Sequence, residues 1–400
     1  MVVRSLGSTL AARPESIVVV APVLHASQRA HGHHDHGDAR EAHHDEEQLR
    51  HVPRIGPARL RGATVNENRL RAVSTSAGGA WDPSHLPPQD GRTYLVTGAN
   101  AGLGYFACEQ LAQAGAHVIM SGRHPNRLAA AHDALEARIP SASVETLLLD
   151  VANPGSVRAA AASVRGGLFD RTRLDGVIFN AGIVHPPHAR KLTRDGRELV
   201  FSTNALGHFV LGAELLVSMA KAAGSRWRPR MVWLGSMSTR MGAYDPLDVQ
   251  LEKSYSSWKA YVQSKVAVQA LGFEADARLR DAEVPVDSVV AHPGYSIGGR
   301  TPRVTGVNEP SRWKRIRDGV QAPIAQSKQT GAETIVRALI DPTIQGGEYW
   351  GPKHMTRGAA VRQRPSATSL DPDVRARVWA TCEELAGVEW PFPKAARAAR

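Results

Sequence analysis

A glycine-rich segment at residues 97–104 separates a short apolar strand from a helix. The strand spans residues 94–96, and the helix continues to about residue 115. Gly98 permits a tight turn, Gly102 lets the backbone approach a ligand, and Gly104 allows the helix to pack on the strand. The first amide groups of such a helix bind phosphate oxygens. The segment therefore predicts a dinucleotide-binding site at the start of a βαβ unit.

Strands alternate with helical segments along the rest of the chain, as βαβ units require. Apolar runs typical of strands occur at residues 94–96, 117–120, 144–149, 176–179, 231–234, 286–290 and 347–350. This order predicts an α/β protein with a Rossmann-type doubly wound parallel sheet of about seven strands and helices on both faces.

The end of the second strand indicates which dinucleotide binds. Folds that prefer NAD(H) usually carry an acidic residue there, which accepts hydrogen bonds from the adenosine ribose. This chain instead has Arg123, whose guanidinium group suits a 2′-phosphate. We therefore predict NADP(H) in preference to NAD(H). The alternative for Arg123 is a solvated side chain at a strand end.

The next two strands end in residues that would line the cofactor crevice, because ligands bind at the carboxyl ends of parallel strands. The third strand runs into Asp150 and Val151, and we expect Asp150 near the adenine. The fourth runs into Asn180, Ala181 and Gly182, where backbone can pass close to the cofactor. A structural role for Asn180, tying strands together, is the alternative.

Tyr261 and Lys265 are four residues apart in a helical segment, so both project from one face. A tyrosine with a pKa of about 10 is a poor acid/base at neutral pH, whereas a nearby ammonium stabilises its phenolate. Ser236, at a strand end, is placed to hydrogen-bond a substrate oxygen. Tyr255 and Lys259 repeat the spacing about 120° around a helix. We favour Tyr261 because an apolar helix continues beyond Lys265.

Several motifs, in this order, resemble the short-chain dehydrogenase/reductase superfamily over about residues 80–390. The segment from Asn204 to Phe209 is similar to its retinol dehydrogenase-like branch. The resemblance implies an NADP(H)-dependent oxidoreductase that interconverts a ketone or aldehyde with an alcohol by hydride transfer. Its motifs are matched by residues 97–104, Asp150-Val151, Asn180-Ala181-Gly182, Asn204, Ser236, Tyr261-x3-Lys265 and Pro293-Gly294.

The resemblance also implies roles for these residues. Tyr261 would be the acid/base, Lys265 would hold the nicotinamide ribose, and Asn204 would hold a water that links Lys265 to solvent. Ser236, Tyr261, Lys265 and Asn204 form the predicted catalytic set. The predicted cofactor-binding set is Gly98, Asn100, Gly102, Leu103, Gly104, Arg123, Asp150, Val151, Asn180, Ala181, Gly182, Tyr261, Lys265, Pro293 and Gly294.

One position departs from the family pattern. A threonine that usually stands four residues after Gly294 would fall at Gly298. Its contact to the carboxamide or a phosphate must then come from Ser296, from Thr301 or from neither. Polar residues 299–326 follow, and we expect them to form a mobile lid over a small-molecule carbonyl or alcohol substrate.

Two other functions stay open. A catalytically silent nucleotide-binding or scaffolding protein can use the same fold, although the intact Ser236, Tyr261 and Lys265 argue against it. Residues 234–236 are similar to protochlorophyllide reductase, a light-driven enzyme, but Tyr295 stands where that enzyme carries a cysteine.

The first 85 residues differ in composition from the rest. Beyond residue 24 they contain few apolar residues and show no lasting period, which predicts a disordered His-rich extension. A single NADP-binding domain is predicted at 86–395. Histidines between residues 31 and 44 could chelate a metal, or belong to an incidental tail. Because they lack fixed geometry, we predict no metal site.

The formal net charge of +11 raises the question of a nucleic-acid or membrane-surface partner. Residues 1–90 carry as many acidic as basic side chains, so the excess lies in the remainder. No basic arm occurs there, and we predict no nucleic-acid partner. The densest cluster is interpreted as a solvated face and comprises Arg312, Lys314, Arg315 and Arg317 beside Trp313.

Cysteine usage and hydropathy bear on location. Cys108 and Cys382 are the only cysteines and cannot form a disulfide framework, which predicts a reducing, cytoplasmic compartment. The apolar run at residues 17–24 is shorter than the ~18 residues that a membrane span needs, so no span is predicted. The sequence leaves a homodimer open.

Overall fold

The computed structural model describes residues 81–167, 173–224 and 227–392. The predictions for residues 1–80, including the histidine tract, and for residues 393–395 lie outside the described residues.

Ten strands occur in the described residues, and eight of them form one sheet. The strands are β1 (Thr93–Thr97), β2 (His117–Gly122), β3 (Ser143–Leu148), β4 (Gly176–Phe179), β5 (Arg230–Leu234), β6 (Asp287–Ala291), β7 (Ser296–Ile297), β8 (Gln326–Ser327), β9 (Tyr349–Pro352) and β10 (Ala360–Arg362). The order is β10-β9-β6-β5-β4-β1-β2-β3. Seven strands are parallel, as predicted, and β10 adds an antiparallel edge to β9.

Helices connect these strands. They are α1 (Gly102–Gln113), α2 (Pro125–Arg138), α3 (Pro154–Arg165), α4 (Leu199–Ala222), α5 (Ser257–Asp281), α6 (Arg312–Val320), α7 (Lys328–Ile340), α8 (Ala367–Leu370) and α9 (Pro372–Ala386). Within α4, Ser202–Leu206 has π-helical geometry. Side-chain caps set several helix starts; Asn153, for example, accepts hydrogen bonds from two amides of the first turn of α3.

Helices cover both faces of the sheet, which confirms the doubly wound prediction. Side chains alternate along each strand, so neighbours enter opposite cores. Tyr94 and Val96 pack in a core with α1, α2 and α7. Leu95 packs in the other core with α3, α4, α5 and α9. The strand order reverses between β1 and β4, and the carboxyl ends of these strands border the crevice where such folds bind ligands.

The helix α4 is long and apolar enough to cross a membrane by composition, and it is the one such helix in the described parts of the chain. Nearly all of it is buried within the protein, where it packs against α3 and the sheet. Its composition is therefore explained by the core that it fills.

Candidate active site

The glycine-rich loop after β1 packs directly on the segment that follows β4. Gly98 and Gly102 have φ values of 67° and 63°, which favour glycine. A Cβ at Gly98 would lie 2.8 Å from the Cα of Ala181. A Cβ at Gly104 would lie 2.5 Å from both the Gly98 carbonyl oxygen and the Asn180 side chain. Side chains at these positions would push the loop away from the sheet.

Thr97 and Asn180 fasten this loop to the sheet. The backbone amides of Asn180 and Ala181 each donate to Thr97 Oγ1 at 2.9 Å. Asn180 Nδ2 donates to the carbonyl oxygens of Thr97, at 2.7 Å, and Gly98, at 3.2 Å. Asn180 therefore makes the strand-tying contacts that the structural alternative requires, and its part in binding the cofactor stays a prediction.

His208 on α4, which the sequence leaves open as a substrate contact or a packing residue, extends the same network. Its Nε2 lies 3.0 Å from Thr97 Oγ1, and its Nδ1 lies 3.0 Å from the carbonyl oxygen of Asn204. Burial lowers the pKa of His208 to about 4, so the ring is neutral at physiological pH. It thereby braces β1 against α4 without adding charge.

The start of α1 fits a dinucleotide phosphate. Ala101 precedes the helix and offers no side-chain acceptor, so the first amides remain available to an anion. Lys328, at the start of α7, lies beside the loop, with Nζ 3.6 Å from the position of a Cβ at Gly102. Burial and the neighbouring Lys314 lower the pKa of Lys328. An anion held between Lys328 and the start of α1 would raise this pKa again, because it would offset both the burial and the repulsion from Lys314.

Sequence reasoning missed Lys328, because it lies far along the chain from the motifs. Lys328 lies near Gly298, where the family usually has a threonine. Its Nζ is 3.9 Å from the position that a Cβ at Gly298 would take. Thr301 Oγ1 donates to the carbonyl of Ile297 at 2.8 Å, and Ser296 Oγ donates to that of Pro293 at 2.8 Å. Both hydroxyls considered as substitutes therefore donate within the protein. A lysine directly after a helix cap was the available signal.

Tyr261, Ser236 and Lys265 meet at the carboxyl end of β5. The Tyr261 hydroxyl donates to Ser236 Oγ at 3.4 Å, and Ser236 Oγ also accepts from the amide of Ser238 at 3.1 Å. Lys265 Nζ donates to the carbonyl oxygen of Leu234 at 2.7 Å. The site thus holds a phenol, a hydroxyl and a buried ammonium around one strand end.

Burial shifts the pKa values of Tyr261 and Lys265. It raises the pKa of Tyr261, and the hydrogen bond with Ser236 opposes that only in part. This is opposite to the lowering predicted from Lys265, whose ammonium donates to Leu234 instead. Burial also lowers the pKa of Lys265, to about 8. The arrangement therefore holds a protonated phenol at neutral pH.

Asn204 lies in the π-helical turn of α4 and joins α4 to α5. Its Oδ1 accepts from the amide of Ile183 at 2.7 Å. Its Nδ2 donates to Ser264 Oγ at 2.9 Å and to the carbonyl of Ile183 at 3.2 Å. The side-chain amide is thus occupied by protein contacts, and the role of Asn204 in holding a water stays a prediction.

Gln269 supports Ser236 from the next turn of α5 and was also missed. Its Nε2 donates to the carbonyl of Ser236 at 2.9 Å and contacts the hydroxyl of Tyr349 at 3.2 Å. Tyr261, Lys265 and Gln269 follow each other at four-residue intervals on one helix face. This spacing of polar residues in an apolar helix was the signal in the sequence.

The second tyrosine-lysine pair lies away from the site. Ser256 caps α5 by accepting from the amide of Lys259, so Tyr255 precedes the helix. The expectation that both pairs share one helix is therefore wrong. The Tyr255 hydroxyl donates to the carbonyl of Pro187 at 3.0 Å, and Lys259 Nζ donates to Ser254 Oγ at 2.8 Å.

The remaining predicted cofactor residues line the same edge of the sheet. Arg123 is exposed directly after β2, and within the described residues it pairs with no carboxylate. The Asn100 side chain reaches toward the end of β2, since a Cβ at Gly122 would lie 3.3 Å from its Oδ1. Asp150 Oδ1 accepts from the amide of Ala152 in the turn after β3. Leu103 packs toward Gly331 on α7.

Three predicted residues serve close backbone packing. Val151 is buried, and its carbonyl lies so close to α4 that a Cβ at Gly207 would overlap it. Gly182 faces Asn204, because its Cβ would lie 3.1 Å from Oδ1. Gly294 has a φ of 65° and follows Pro293 in the loop after β6. These contacts fix the loops that border the crevice.

The segment at 299–326 contains α6 and is bounded by the β7-β8 pair. Asp318 anchors α6, accepting from the amide of Gly299 at 2.8 Å and pairing with Lys314 at 3.0 Å. The Tyr295 hydroxyl contacts Gln321. The predicted lid is therefore attached beside Gly298 and the glycine-rich loop.

Several known proteins are similar to this chain in sequence and in fold. The family model described as short chain dehydrogenase matches residues 92–297. Mouse polyprenol dehydrogenase is 32% identical over 319 residues, covering 77% of this chain and 88% of its own. Human retinol dehydrogenase 13 is 30% identical over 307 residues, covering 75% and 86%.

Solved structures agree. A crystal structure of an uncharacterised protein from Mycobacterium paratuberculosis is 31% identical, with a TM-score of 0.61, covering 78% of this chain and 99% of that one. L-sorbose reductase from Gluconobacter frateurii, in complex with NADPH and L-sorbose, shares the fold at 17% identity and a TM-score of 0.51, covering 67% and 97%. The protein is thus an oxidoreductase acting on alcohols or carbonyl compounds with a nicotinamide dinucleotide. The chain belongs to the short-chain dehydrogenase/reductase family, in its retinol dehydrogenase-like branch.

Proposed function

We propose that this chain is an NADP(H)-dependent oxidoreductase that interconverts a ketone or aldehyde with an alcohol, with Tyr261 as the acid/base. The observation that carries the proposal is the contact between the Tyr261 hydroxyl and Ser236 Oγ at 3.4 Å, beside the buried ammonium of Lys265. The glycine-rich loop and Lys328 supply a phosphate site at the same edge of the sheet.

The proposed chemistry divides between cofactor and protein. The bound cofactor supplies or takes up the hydride. Ser236 Oγ accepts from Tyr261 and from the Ser238 amide, so its own proton is free to orient a substrate oxygen. Tyr261 donates the proton to that oxygen in reduction and takes it back in oxidation. Burial raises the pKa of Tyr261, so the phenol carries its proton at neutral pH and can donate it to the substrate oxygen.

We propose a bulky apolar substrate. Trp258 is half exposed with its ring centroid 6.4 Å from that of Tyr261, and Met241 is exposed at the end of the turn that follows Ser236. Exposed apolar side chains thus lie beside the Tyr261 ring and at the end of the turn after Ser236. The names of the relatives, polyprenol dehydrogenase and retinol dehydrogenase, point in the same direction.

We also propose the domain bounds and the cellular compartment of the protein. Residues 86–395 form a single catalytic domain, with residues 299–326 as the lid, and the protein acts in the cytoplasm. Cys108 and Cys382 support a reducing compartment, since both are buried as free thiols. A homodimer is compatible with this arrangement.

A substrate screen tests the proposal. Retinoid, polyprenoid and steroid aldehydes, ketones and alcohols are offered with NADPH or NADP⁺, and nicotinamide absorbance is followed. We expect turnover in the dark with at least one apolar substrate. Tight NADP(H) binding without any turnover would favour the catalytically silent alternative, and turnover only under illumination would favour the photoenzyme.

Replacing Arg123 with alanine tests the choice of cofactor. We expect the KM for NADPH to rise by about tenfold to a hundredfold, because a charged contact to the 2′-phosphate is lost. The KM for NADH should change little. Arg377→Ala removes an exposed arginine on α9 and is the matched control. A preference for NADH that survives Arg123→Ala would contradict NADP(H) dependence.

Replacing Lys328 with glutamine tests the phosphate site. The pyrophosphate is common to both cofactors, so we expect the Kd of NADPH and of NADH to rise together by about tenfold. Fluorescence titration measures both constants. Lys259→Gln, which changes a partly exposed lysine on α5, should leave them unchanged. Unaltered binding by Lys328→Gln would remove this residue from the cofactor site.

A further inference from the structure

The helix α6 in the predicted lid exposes its apolar residues and buries a charged one, whereas a surface helix usually does the opposite. Its apolar residues face outward: Trp313 and Val320 are each 81% exposed, and Ile316 is 62% exposed. At about 100° per residue these three fall within a stripe of about 60°. The one buried residue of α6 is Asp318, at 4% exposure. Ile324, just beyond the helix, is also exposed.

Polar contacts on the inner face fix this orientation. Asp318 accepts from the amide of Gly299 and forms an ion pair with Lys314. Turning the apolar stripe inward would break these contacts and expose a charge pair that now anchors the helix. The outward stripe is therefore built into the attachment of α6.

Cations border the apolar stripe. On the helical wheel, Arg312 and Arg317 lie about 40° beyond its two edges, and both are exposed. Arg315 adds a third exposed cation on the helix, and the only acid of α6 is the buried Asp318. An apolar stripe with a tryptophan, flanked by arginines, matches the chemistry of a helix that lies in the interface of an anionic bilayer.

We propose that the outer face of α6, formed by Trp313, Ile316 and Val320 between Arg312 and Arg317, docks on an anionic lipid surface. The apolar side chains enter the acyl boundary, and the arginines contact lipid phosphates. The exposed cluster that the sequence indicated as a solvated face thereby acquires a partner.

A second copy of the chain fits this face less well. In a two-fold interface the same patch meets itself, so the arginines of the two copies would face each other without acids on α6 to pair with them. Anionic phosphates remove that repulsion. The charge of the face thus favours lipid over self-association.

Docking would place the lid at the membrane while the catalytic edge stays close by. The lid is attached through Gly299 and through the contact of Tyr295 with Gln321. Tyr295 follows the loop at Pro293 and Gly294 that borders the crevice. An apolar substrate dissolved in lipid would then reach the site from the bilayer, although the docking itself does not depend on catalysis.

Vesicle sedimentation of the full chain tests the docking. We expect the protein to sediment with vesicles of phosphatidylcholine and phosphatidylserine, to sediment less with phosphatidylcholine alone, and to be released by high salt. The double variant Trp313→Ser and Ile316→Ser should partition at least about tenfold more weakly. Arg312→Gln with Arg317→Gln should lose about fivefold per arginine on the anionic vesicles only.

Matched controls separate these effects from general changes of the surface. Leu370→Ser on α8 and Arg377→Gln on α9 remove an exposed apolar and an exposed basic side chain elsewhere and should sediment as the unmodified chain does. Thermal unfolding by circular dichroism checks that each variant is folded.

Three results would overturn the docking proposal. The first is that the unmodified chain binds neither vesicle, and the second is that the Trp313 and Ile316 variant binds as the unmodified chain does. The third is a dimer in sedimentation velocity that this variant dissociates while no protein binds vesicles, which would assign the face to a second copy. Each result leaves the carbonyl reductase assay unaffected, so the two proposals fail separately.

Discussion

Tyr261→Phe is expected to lower kcat by about 10² to 10⁴-fold, because the proton donor for the substrate oxygen is lost. The phenyl ring keeps the packing beside Trp258, while the contact with Ser236 Oγ disappears. The Kd of NADPH should rise by less than about tenfold, since at most one hydrogen bond to the cofactor is lost and the glycine-rich loop does not involve this hydroxyl. Steady-state kinetics with the best substrate of the screen, together with fluorescence titration of NADPH, gives both quantities.

Tyr255→Phe is the matched control for this experiment. The Tyr255 hydroxyl donates to the Pro187 carbonyl ahead of α5, so its loss should leave kcat within about threefold and cost about 1 kcal/mol of stability. If Tyr255→Phe were inactive and Tyr261→Phe active, the acid/base role would belong to the other tyrosine and the proposed mechanism would be wrong.

Gly207→Ala is expected to destabilise the protein by about 3 kcal/mol or more. A Cβ at this position would overlap the carbonyl oxygen of Val151 and lie 2.7 Å from its carbon, and neither backbone atom can move without shifting a core element. The displaced helix α4 also carries Asn204 and His208, so affinity for the cofactor should fall as well. Chemical denaturation followed by circular dichroism measures the free energy of unfolding.

Gly319→Ala provides the comparison on another helix. No atom lies within 4 Å of the position of a Cβ at Gly319, and its φ is not positive. The substitution should change the free energy of unfolding by less than about 1 kcal/mol, with a gain favoured by helix propensity. Equal stability of Gly207→Ala and the unmodified protein would mean that α4 does not approach Val151 as closely as described.

The fold was largely predictable because its signals are local. Glycines at 98, 102 and 104 follow a strand and open a helix, which is the local pattern of a dinucleotide-binding turn. Apolar runs separated by helical segments then set a parallel sheet. The antiparallel strand β10 escaped prediction because Ala360–Arg362 is only three residues long and has no distinctive period.

The candidate site was predictable to the extent that its residues lie on regular elements. The spacing of Tyr261 and Lys265 places both on one face of α5 wherever that helix packs. Tyr255 was misplaced because the start of α5 depends on one capping serine, Ser256. Tyr255 lies only two residues before Ser257, the first residue of α5, and such a difference in a helix boundary is within the variation that local signals leave open.

The sequence by itself determined the sheet, the glycine-rich loop and the motif residues at its carboxyl edge, since each follows from local periodicity and from residue types that admit few conformations. Only the tertiary structure decided three further features: the position of Lys328 beside the glycine-rich loop, the raised pKa of Tyr261, and the outward orientation of Trp313 on α6. These depend on burial and on contacts between residues distant in sequence, which a local pattern does not encode. Desolvation in particular is a property of the folded surroundings, and here it raises the pKa of Tyr261 by more than the hydrogen bond with Ser236 lowers it.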